Sequence, residues 1–302
     1  MKDRKRKLEL LSFYNHTGIE KHLEDMARKG WMIERLSNFG WIYRRIEPAE
    51  LHFTVTYYPE DMEFTPLPSE GNLTFREFSE HLGWKHVCSW FQMQIFCSDA
   101  QNTVPIETDP VIEVETIHRA CKANFLRMYW ILLVLSGFMG GLFLVSLIQT
   151  ADVLPEAFLE DPTAMMQGIV WTVLALYCGV ELVAYYRWHK QAVKMAEQDI
   201  FLDTPSTDRF QKCIMAVVVL AFLWWIGSLL FSANPKMVPI AIAVLASIFG
   251  AQILGEKFRA FLRRKGVPAW LNRLLTLLTV FVTVFLATGV IVAVGVVLEQ
   301  IG

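Results

Sequence analysis

The stretch Met128-Tyr-Trp-Ile-Leu-Leu-Val-Leu-Ser-Gly-Phe-Met-Gly-Gly-Leu-Phe-Leu-Val-Ser-Leu-Ile148 decides what kind of protein this is. It contains no charged residue, and a helix of this length, rising about 1.5 Å per residue, crosses the roughly 30 Å hydrocarbon core of a bilayer. Four further apolar runs have the same character: Met165–Tyr186, Cys213–Pro235, Met237–Gly255 and Leu274–Leu298. The sequence therefore predicts an α-helical membrane domain of about five spans over residues 128–302, in contact with the lipid bilayer.

The third and fourth runs are separated by a short turn, Ser232–Pro239, that contains Pro235 and Pro239. Proline discourages a continuous helix, so these two runs are predicted to form a helical hairpin. An even number of crossings stays open, because it requires only that one of the five runs is not a span.

The overall composition agrees with a membrane protein that also has a soluble part. The chain of 302 residues is 54% hydrophobic and only 19% charged, and its mean hydropathy is +0.34. A soluble domain has about a quarter charged residues. The charges of residues 128–302 stand in short clusters between apolar runs, whereas residues 1–127 are charged throughout. The net charge of −2 gives no concentrated basic face, so direct nucleic-acid binding is not expected.

Lysine and arginine are distributed unevenly among the loops of the membrane domain. The loop Thr150–Ala164 has none, whereas Arg187–Lys212 and Glu256–Arg273 are rich in both. Basic loops stay on the cytoplasmic side of a membrane. The pattern therefore predicts a multi-pass protein with a cytoplasmic amino terminus and an extracytoplasmic carboxyl terminus.

Residues 1–108 alternate between helical and strand patterns. A helix start at Asn15 and the spacing of apolar residues predict a helix over Gly18–Lys29, and a second helix is predicted over Thr74–Leu82. Strands are predicted over Trp31–Ser37, Gly40–Ile46, Leu51–Tyr58 and Trp84–Phe96, the last either bent or paired with itself near Gln92. Together with the short apolar run Leu8–Phe13 before the first helix, these elements predict an α+β cytoplasmic domain, with a ferredoxin-like βαββαβ topology as one candidate.

Two segments flank this predicted domain. Residues 109–127 have apolar and charged side chains at helical spacing, which predicts an amphipathic helix that connects the domain to the first span. The basic cluster Lys2–Lys7 is interpreted either as a contact with anionic lipid or as a solvated tail.

Four runs of the amino-terminal half have a distinctive sequence: Phe13-Tyr-Asn-His-Thr-Gly-Ile-Glu-Lys-His-Leu-Glu-Asp-Met-Ala-Arg-Lys-Gly-Trp31, Asn38-Phe-Gly-Trp-Ile-Tyr-Arg-Arg45, Ser89-Trp-Phe-Gln-Met-Gln-Ile-Phe96 and Pro105-Ile-Glu-Thr-Asp-Pro-Val-Ile-Glu-Val-Glu-Thr-Ile-His118. These runs resemble the DUF2812 family, which is bacterial and has no characterised function. The resemblance covers roughly residues 5–125 and brings no catalytic residues with it. Family members are commonly encoded beside PadR-like transcriptional regulators. The resemblance thus implies a bacterial cell membrane, a regulated response and a cytoplasmic protein partner such as a PadR-like regulator.

No motif in the sequence indicates catalysis. There is no Walker A loop, no GxGxxG, no HExxH and no GxSxG. The five cysteines are scattered without a CxxC pair, which favours reduced thiols. The best metal candidates, His81, His86, Cys88 and Cys97, have irregular spacing for a tetrahedral zinc site. We therefore predict no catalytic residue, no cofactor and no metal.

Two candidate binding sites follow from the residue types. Five aromatic residues are candidates for a groove that takes a peptide or a partner strand, with the domain core as the alternative: Trp31, Trp41, Tyr43, Tyr57 and Trp90. Glu181 is a carboxylate within a predicted span, which indicates function by default. It lies about a turn and a half from Arg187, so an interfacial ion pair is the alternative.

These observations favour a non-enzymatic sensor or adaptor whose cytoplasmic domain binds a protein partner. The alternative is a transport or export component in which the spans form a pathway and the cytoplasmic domain is its gate. A membrane enzyme is the third hypothesis, and it lacks an identifiable site. The sequence does not indicate the oligomeric state.

Overall fold

A computed structural model describes most of the chain, and the chain divides into two compact units. The described residues are 3–37, 40–66, 69–100, 103–149, 162–231 and 237–301. The first unit comprises Met1–Met62, Glu70–Asp152 and Gln167–Val219, and the second comprises Glu63–Ser69, Val153–Met166 and Leu220–Gly302. Each unit is described by itself.

The first sheet of the first unit has three antiparallel strands in the order β1-β3-β2. They are β1 (Arg4–Lys7), β2 (Trp31–Arg35) and β3 (Trp41–Arg45). Residues Arg4–Lys7 of the basic cluster thus form an edge strand, in which Lys5 pairs with Tyr43. Neither interpretation of this cluster from the sequence included a strand, because β1 lacks apolar alternation and is held by pairing with β3.

The second sheet is also antiparallel, with the order β4-β6-β5. Its strands are β4 (His52–Tyr57), β5 (Lys85–Trp90) and β6 (Met93–Ser98). The predicted strand Trp84–Phe96 is paired with itself: β5 and β6 form a hairpin whose turn contains Phe91 at φ 53°. Every residue of β6 is buried, because β6 is the central strand.

The predicted α+β class of the amino-terminal region is confirmed, but a ferredoxin-like topology is not. A split βαβ domain builds one sheet from its strands, whereas this chain builds two sheets of three strands. The difference arises from β1, which was not predicted, and from the division of the last predicted strand into β5 and β6.

Two helices accompany the sheets. Helix α1 is His16–Arg28, and the side chain of Asn15 caps it by accepting a hydrogen bond from the Gly18 N–H at 3.0 Å. Helix α2 is Glu70–His81, so it begins four residues before the predicted start at Thr74. The Thr74 hydroxyl donates to the Glu70 carbonyl inside the helix instead of capping it.

The segment 109–127 is helical and leads directly into the first apolar run. Helix α3 (Pro110–Cys121) starts at Asp109, whose carboxylate accepts from the Val111 N–H at 2.8 Å. A π-helical turn, Lys122–Leu126, joins it to helix α4 (Arg127–Gln149) without a break.

After α4, most of the described chain is helical. The helices are α5 (Pro162–Ala196), α6 (Asp208–Phe231), α7 (Met237–Arg264) and α8 (Ala269–Ile301). Among the residues that the structure describes, four helical segments are long and apolar enough to cross a membrane: Pro110–Gln149, Ala164–Ala196, Asp208–Ser228 and Ala269–Val290. The predicted span Met237–Gly255 falls on α7 and is not among these four, so a count of five spans stays a prediction. The turn residues 232–236 lie outside the described residues.

One hydrophobic core runs through the first unit. It includes Ile19 of α1, Tyr43 and Ile95 of the two sheets, and Ile117 of α3. The same core continues to Leu182, Tyr185 and Trp188 near the carboxyl end of α5. The amino-terminal region and an apolar helix therefore share buried side chains.

In the second unit, α7 and α8 pack against each other on either side of a turn in which Gly266 has φ 70°. The segment Glu63–Ser69 binds at this turn: Arg263 Nε donates to the Thr65 carbonyl at 2.7 Å, and Arg259 pairs with Glu63. Because α7 extends to Arg264 and α8 begins at Ala269, much of the predicted basic loop Glu256–Arg273 is helical.

Candidate functional site

The five aromatic candidates are distributed over both sheets and lie in or against the core. Trp41, Tyr43 and Tyr57 are buried, while Trp31 and Trp90 pack against the core from its border. The Tyr57 hydroxyl donates to the Phe13 carbonyl at 2.5 Å. The five side chains thus lie in the hydrophobic core or at its border, and a peptide-binding groove formed by them stays a prediction.

Glu181 on α5 is completely buried, and each oxygen of its carboxylate accepts a hydrogen bond. Its Oε2 accepts from Ser12 Oγ at 2.7 Å, and its Oε1 accepts from Gln211 Nε2 at 3.0 Å. Gln211 Nε2 also lies 2.8 Å from Ser12 Oγ and 2.9 Å from Thr207 Oγ1. We call Ser12, Glu181, Thr207 and Gln211 the Glu181 node.

The Glu181 node explains how a carboxylate is tolerated there. A buried carboxylate is very costly unless hydrogen bonds or charges compensate for the lost water, and donors to a charged group give the stronger hydrogen bonds. Within the described residues, no salt bridge to Glu181 is present; its partners are neutral. The predicted alternative of an ion pair with Arg187 is therefore replaced by contacts with Ser12 and Gln211.

A second set of contacts lies beside this node, between the start of α1 and the segment that follows α5. The Thr204 hydroxyl donates to Asn15 Oδ1 at 2.8 Å, and the Thr204 N–H donates to Thr17 Oγ1 at 3.1 Å. On the other side, the ring of Tyr14 packs edge-on against Tyr185 with 5.2 Å between centroids. Side chains of residues 12–17 thus contact α5, α6 and the segment between these two helices.

A cavity of about 360 Å³ opens beside the start of α1. Its ionisable lining side chains are His16 and Glu20 of α1, Glu107 of the segment before α3, and Glu113 of α3. Apolar walls come from residues such as Ile117 and Phe201. We call it the His16 cavity. A concave, largely apolar pocket with a few convergent polar groups is the usual form of a ligand site.

Burial controls the carboxylates of the His16 cavity. It raises the pKa of Glu20 to about 7, although the positive charge of His16 and a 2.8 Å hydrogen bond from the Val55 N–H oppose this. Burial likewise raises the pKa of Glu107, against a hydrogen bond from the Thr56 hydroxyl. No lysine or arginine is among the described lining residues. No permanently charged cation of the lining therefore compensates for the negative charge of these carboxylates.

His16 is the only cation-forming side chain of the described cavity lining. Its burial would lower its pKa, but Glu113, with an oxygen 3.3 Å from His16 Nε2, acts with the charge of Glu20 against burial, and the pKa of His16 is raised above its ordinary value. The cavity therefore combines a carboxylate whose pKa lies near neutral pH, Glu20, with a histidine whose charged form is favoured.

Most of this site was not predicted from the sequence. None of Glu20, Glu107 and Glu113 was among the candidate residues. The only local signal is the spacing of His16 and Glu20, four residues apart, which places both on one face of α1.

The weak metal hypothesis gains no support. Among the described residues, no group of three or more His, Cys, Asp or Glu side chains is arranged to hold a metal. His86 Nε2 lies 2.8 Å from Ser89 Oγ, and burial lowers the pKa of His86 to about 4. Burial also raises the pKa of Cys88 to about 12.

Comparison with known families covers the α1 start and the ionisable side chains of the His16 cavity. Residues 15–133 match the model of a family described as a protein of unknown function. The matched family is DUF2812. No curated protein and no solved structure matches the chain.

The DUF2812 region begins at the N-cap of α1 and ends inside α4. It contains the ionisable side chains of the His16 cavity, the connecting helix α3 and the π-helical turn. Ser12 and Glu181 lie outside it. The DUF2812 region therefore includes the first part of an apolar helix as well as helices α1 and α2 and strands β2 to β6, but not β1.

Proposed function

We propose that this protein is an integral membrane, non-enzymatic sensor or adaptor. In this proposal, the DUF2812 region binds a cytoplasmic protein partner, and the state of the membrane helices changes that binding. The partner class follows from the regulatory association of the family, and a PadR-like regulator is the first candidate.

The proposed topology has five spans in a bacterial cell membrane, with the amino terminus in the cytoplasm. The support is the alternation of basic and non-basic loops, in which Arg187–Lys212 and Glu256–Arg273 are the basic ones. The loop Thr150–Ala164, mostly outside the described residues, has no lysine or arginine.

The observation that carries the proposal is the Glu181 node. A hydroxyl from the amino-terminal region, Ser12, and an amide from α6, Gln211, share one buried carboxylate on α5. Because an unsatisfied buried carboxylate is costly, a displacement of either helix changes the energy of the segment that precedes α1. This supports energetic coupling between helices and domain.

Transport with the cytoplasmic domain as gate is the alternative proposal. It depends on Glu181 as a group that handles substrate or ions. The hydrogen bonds of Glu181 account for its burial without a substrate, which favours the adaptor. Full activity of Glu181→Gln, together with no substrate-dependent flux in liposomes, would exclude transport.

The adaptor proposal is tested by photocrosslinking in intact cells. Probes are placed at exposed positions of the amino-terminal region, such as Phe78 and Leu73 on α2, and crosslinked proteins are identified by mass spectrometry. We expect one recurrent cytoplasmic protein, with altered yield in Ser12→Ala. A probe at Leu286 on α8, exposed in an apolar segment, is the control and should not capture it. Capture of no specific protein from any probe would contradict the proposal.

A further inference from the structure

The two sheets of the first unit meet at their edge strands. The strand orders leave β2 at one edge of the first sheet and β5 at one edge of the second. These two edges lie side by side, and among the described residues no ladder joins them. A groove of about 1020 Å³ opens there, and we call it the seam groove.

Both strands that border the seam groove are irregular where they line it. The pairing of β2 with β3 shifts at Glu34, and the pairing of β5 with β6 shifts at Val87. Such bulges leave a residue out of the ladder and redirect its side chain, and they occur preferentially at sheet edges and binding sites. The groove thus presents main-chain groups of two edge strands.

The side chains of the seam groove combine apolar surface with positive charge. Met32, Ile33 and Val87 contribute the apolar surface. The cations are Arg4, Arg44, Arg45 and Lys85, against two carboxylates, Asp3 and Glu34.

The cations differ in how far they are already engaged. Arg4 pairs with Glu34 at 2.7 Å and Lys85 pairs with Asp99 at 3.2 Å, but both pairs are exposed and contribute little to stability. Arg44 is exposed, and within the described residues it forms no salt bridge. The groove therefore has positive charge available for a ligand.

We propose that the seam groove binds an extended acidic segment of a protein partner. The segment would offer main-chain groups to an edge strand, as in β-strand addition, and carboxylates to Arg44 and Lys85. This inference rests on the proposed function in one respect, that the partner is a protein.

Two other anionic partners fit the groove less well. A membrane surface is flat, so it does not reach apolar side chains that line a concave groove. A nucleic acid needs a broad basic face, whereas this groove includes Asp3 and Glu34. An extended peptide matches the concave shape, the strand edges and the charge together.

The test uses the full chain in phosphatidylcholine nanodiscs and a fluorescein-labelled peptide of alternating glutamate and valine. Binding is followed by fluorescence polarisation. We expect the double variant Arg44→Glu/Lys85→Glu to weaken binding at least about tenfold, since it reverses two charges at the groove. The control Lys190→Glu/Lys194→Glu makes the same charge change at exposed positions of α5 and should leave the affinity within about twofold.

The milder variant Arg44→Gln/Lys85→Gln should give an intermediate loss, and its melting temperature shows whether it is folded. Equal weakening by the groove variant and the control would overturn the proposal. So would equally tight binding of a lysine–valine peptide, or loss of peptide binding in nanodiscs that contain phosphatidylglycerol.

This assay does not depend on a cellular partner, so the two proposals fail separately. Absence of peptide binding together with a partner crosslinked through α2 would overturn the groove and leave the adaptor intact. Peptide binding without any cellular partner would support the groove and contradict the adaptor.

Discussion

The Ser12 hydroxyl donates a 2.7 Å hydrogen bond to Glu181, a residue 169 positions away in the chain. The bond joins the segment before α1 to an apolar helix, and both side chains are buried. Bulk water therefore does not compete for this hydrogen bond, and its loss should lower the free energy of unfolding measurably.

We expect Ser12→Ala to lower the free energy of unfolding by about 1–3 kcal/mol, because it leaves an oxygen of Glu181 without its donor. Thermal unfolding in detergent measures this. Ser247→Ala is the matched control, because the Ser247 hydroxyl bonds only locally, to the Val244 carbonyl. The double variant Ser12→Ala/Glu181→Gln should be less damaging than the sum of its parts, and strict additivity would mean that the two side chains are not coupled.

Glu20 should make stability fall as pH rises. Its pKa is about 7 in the folded chain and near 4.5 when unfolded, so between these values the unfolded chain loses the proton first. The folded state is favoured below pH 4.5, and this advantage is lost as pH rises through 7. We expect Glu20→Gln to flatten the decline of melting temperature over this window. Glu24→Gln, one turn along α1, should retain it, and an unchanged slope in Glu20→Gln would contradict the burial of Glu20.

His16 should titrate above its ordinary pKa as long as Glu113 faces it. A raised folded pKa means that the ion pair stabilises the fold below pH 6.5 and that this contribution is lost as pH rises through the folded pKa. Glu113→Gln should therefore lower the pKa of His16, measured by NMR of the imidazole. Glu115→Gln removes an exposed carboxylate that pairs with Arg119 and should leave His16 unaffected. Equal shifts in both variants would show that the pairing is not specific.

Asn15 has two roles, as the cap of α1 and as an acceptor for Thr204. We expect Asn15→Ala to destabilise the fold by about 1–2 kcal/mol. Asn15→Asp keeps an acceptor oxygen and should cost less in chemical unfolding. If Asn15→Ala and Asn15→Asp are equally destabilising, hydrogen-bond acceptance is not the function of this side chain.

The sequence predicts the helices of this chain better than its sheets. Asn15 before an apolar repeat marks α1, and the charge-free run after Met128 marks α4, because capping and apolar length are local properties. The pairing of β1 with β3 is not local, and Arg4–Lys7 has no alternation that would reveal it. The turn at Phe91 was predicted only as one of two alternatives.

Of the candidate site, only Glu181 was predictable from the sequence, and the residues that surround it were not. Glu181 stands out because a carboxylate in an apolar run is rare. Its partners Ser12 and Gln211 are common polar residues that only the fold brings to it. Glu20 lies among Lys21 and Glu24 in the sequence and therefore has the appearance of a solvent-exposed residue, yet the segment before α3 and strand β4 cover it.

The π-helical turn Lys122–Leu126 sets the angle between the buried side chains of α3 and the side chains that continue along α4. It holds one residue more than an α-helical turn, and each residue of an α-helix corresponds to about 100° around the axis. The row of side chains that α3 packs into the core is therefore rotated by about that angle from the row that continues along α4. If α4 rotates about its own axis, α3 rotates with it, and the side chains that α3 packs into the core keep this angular offset from those along α4.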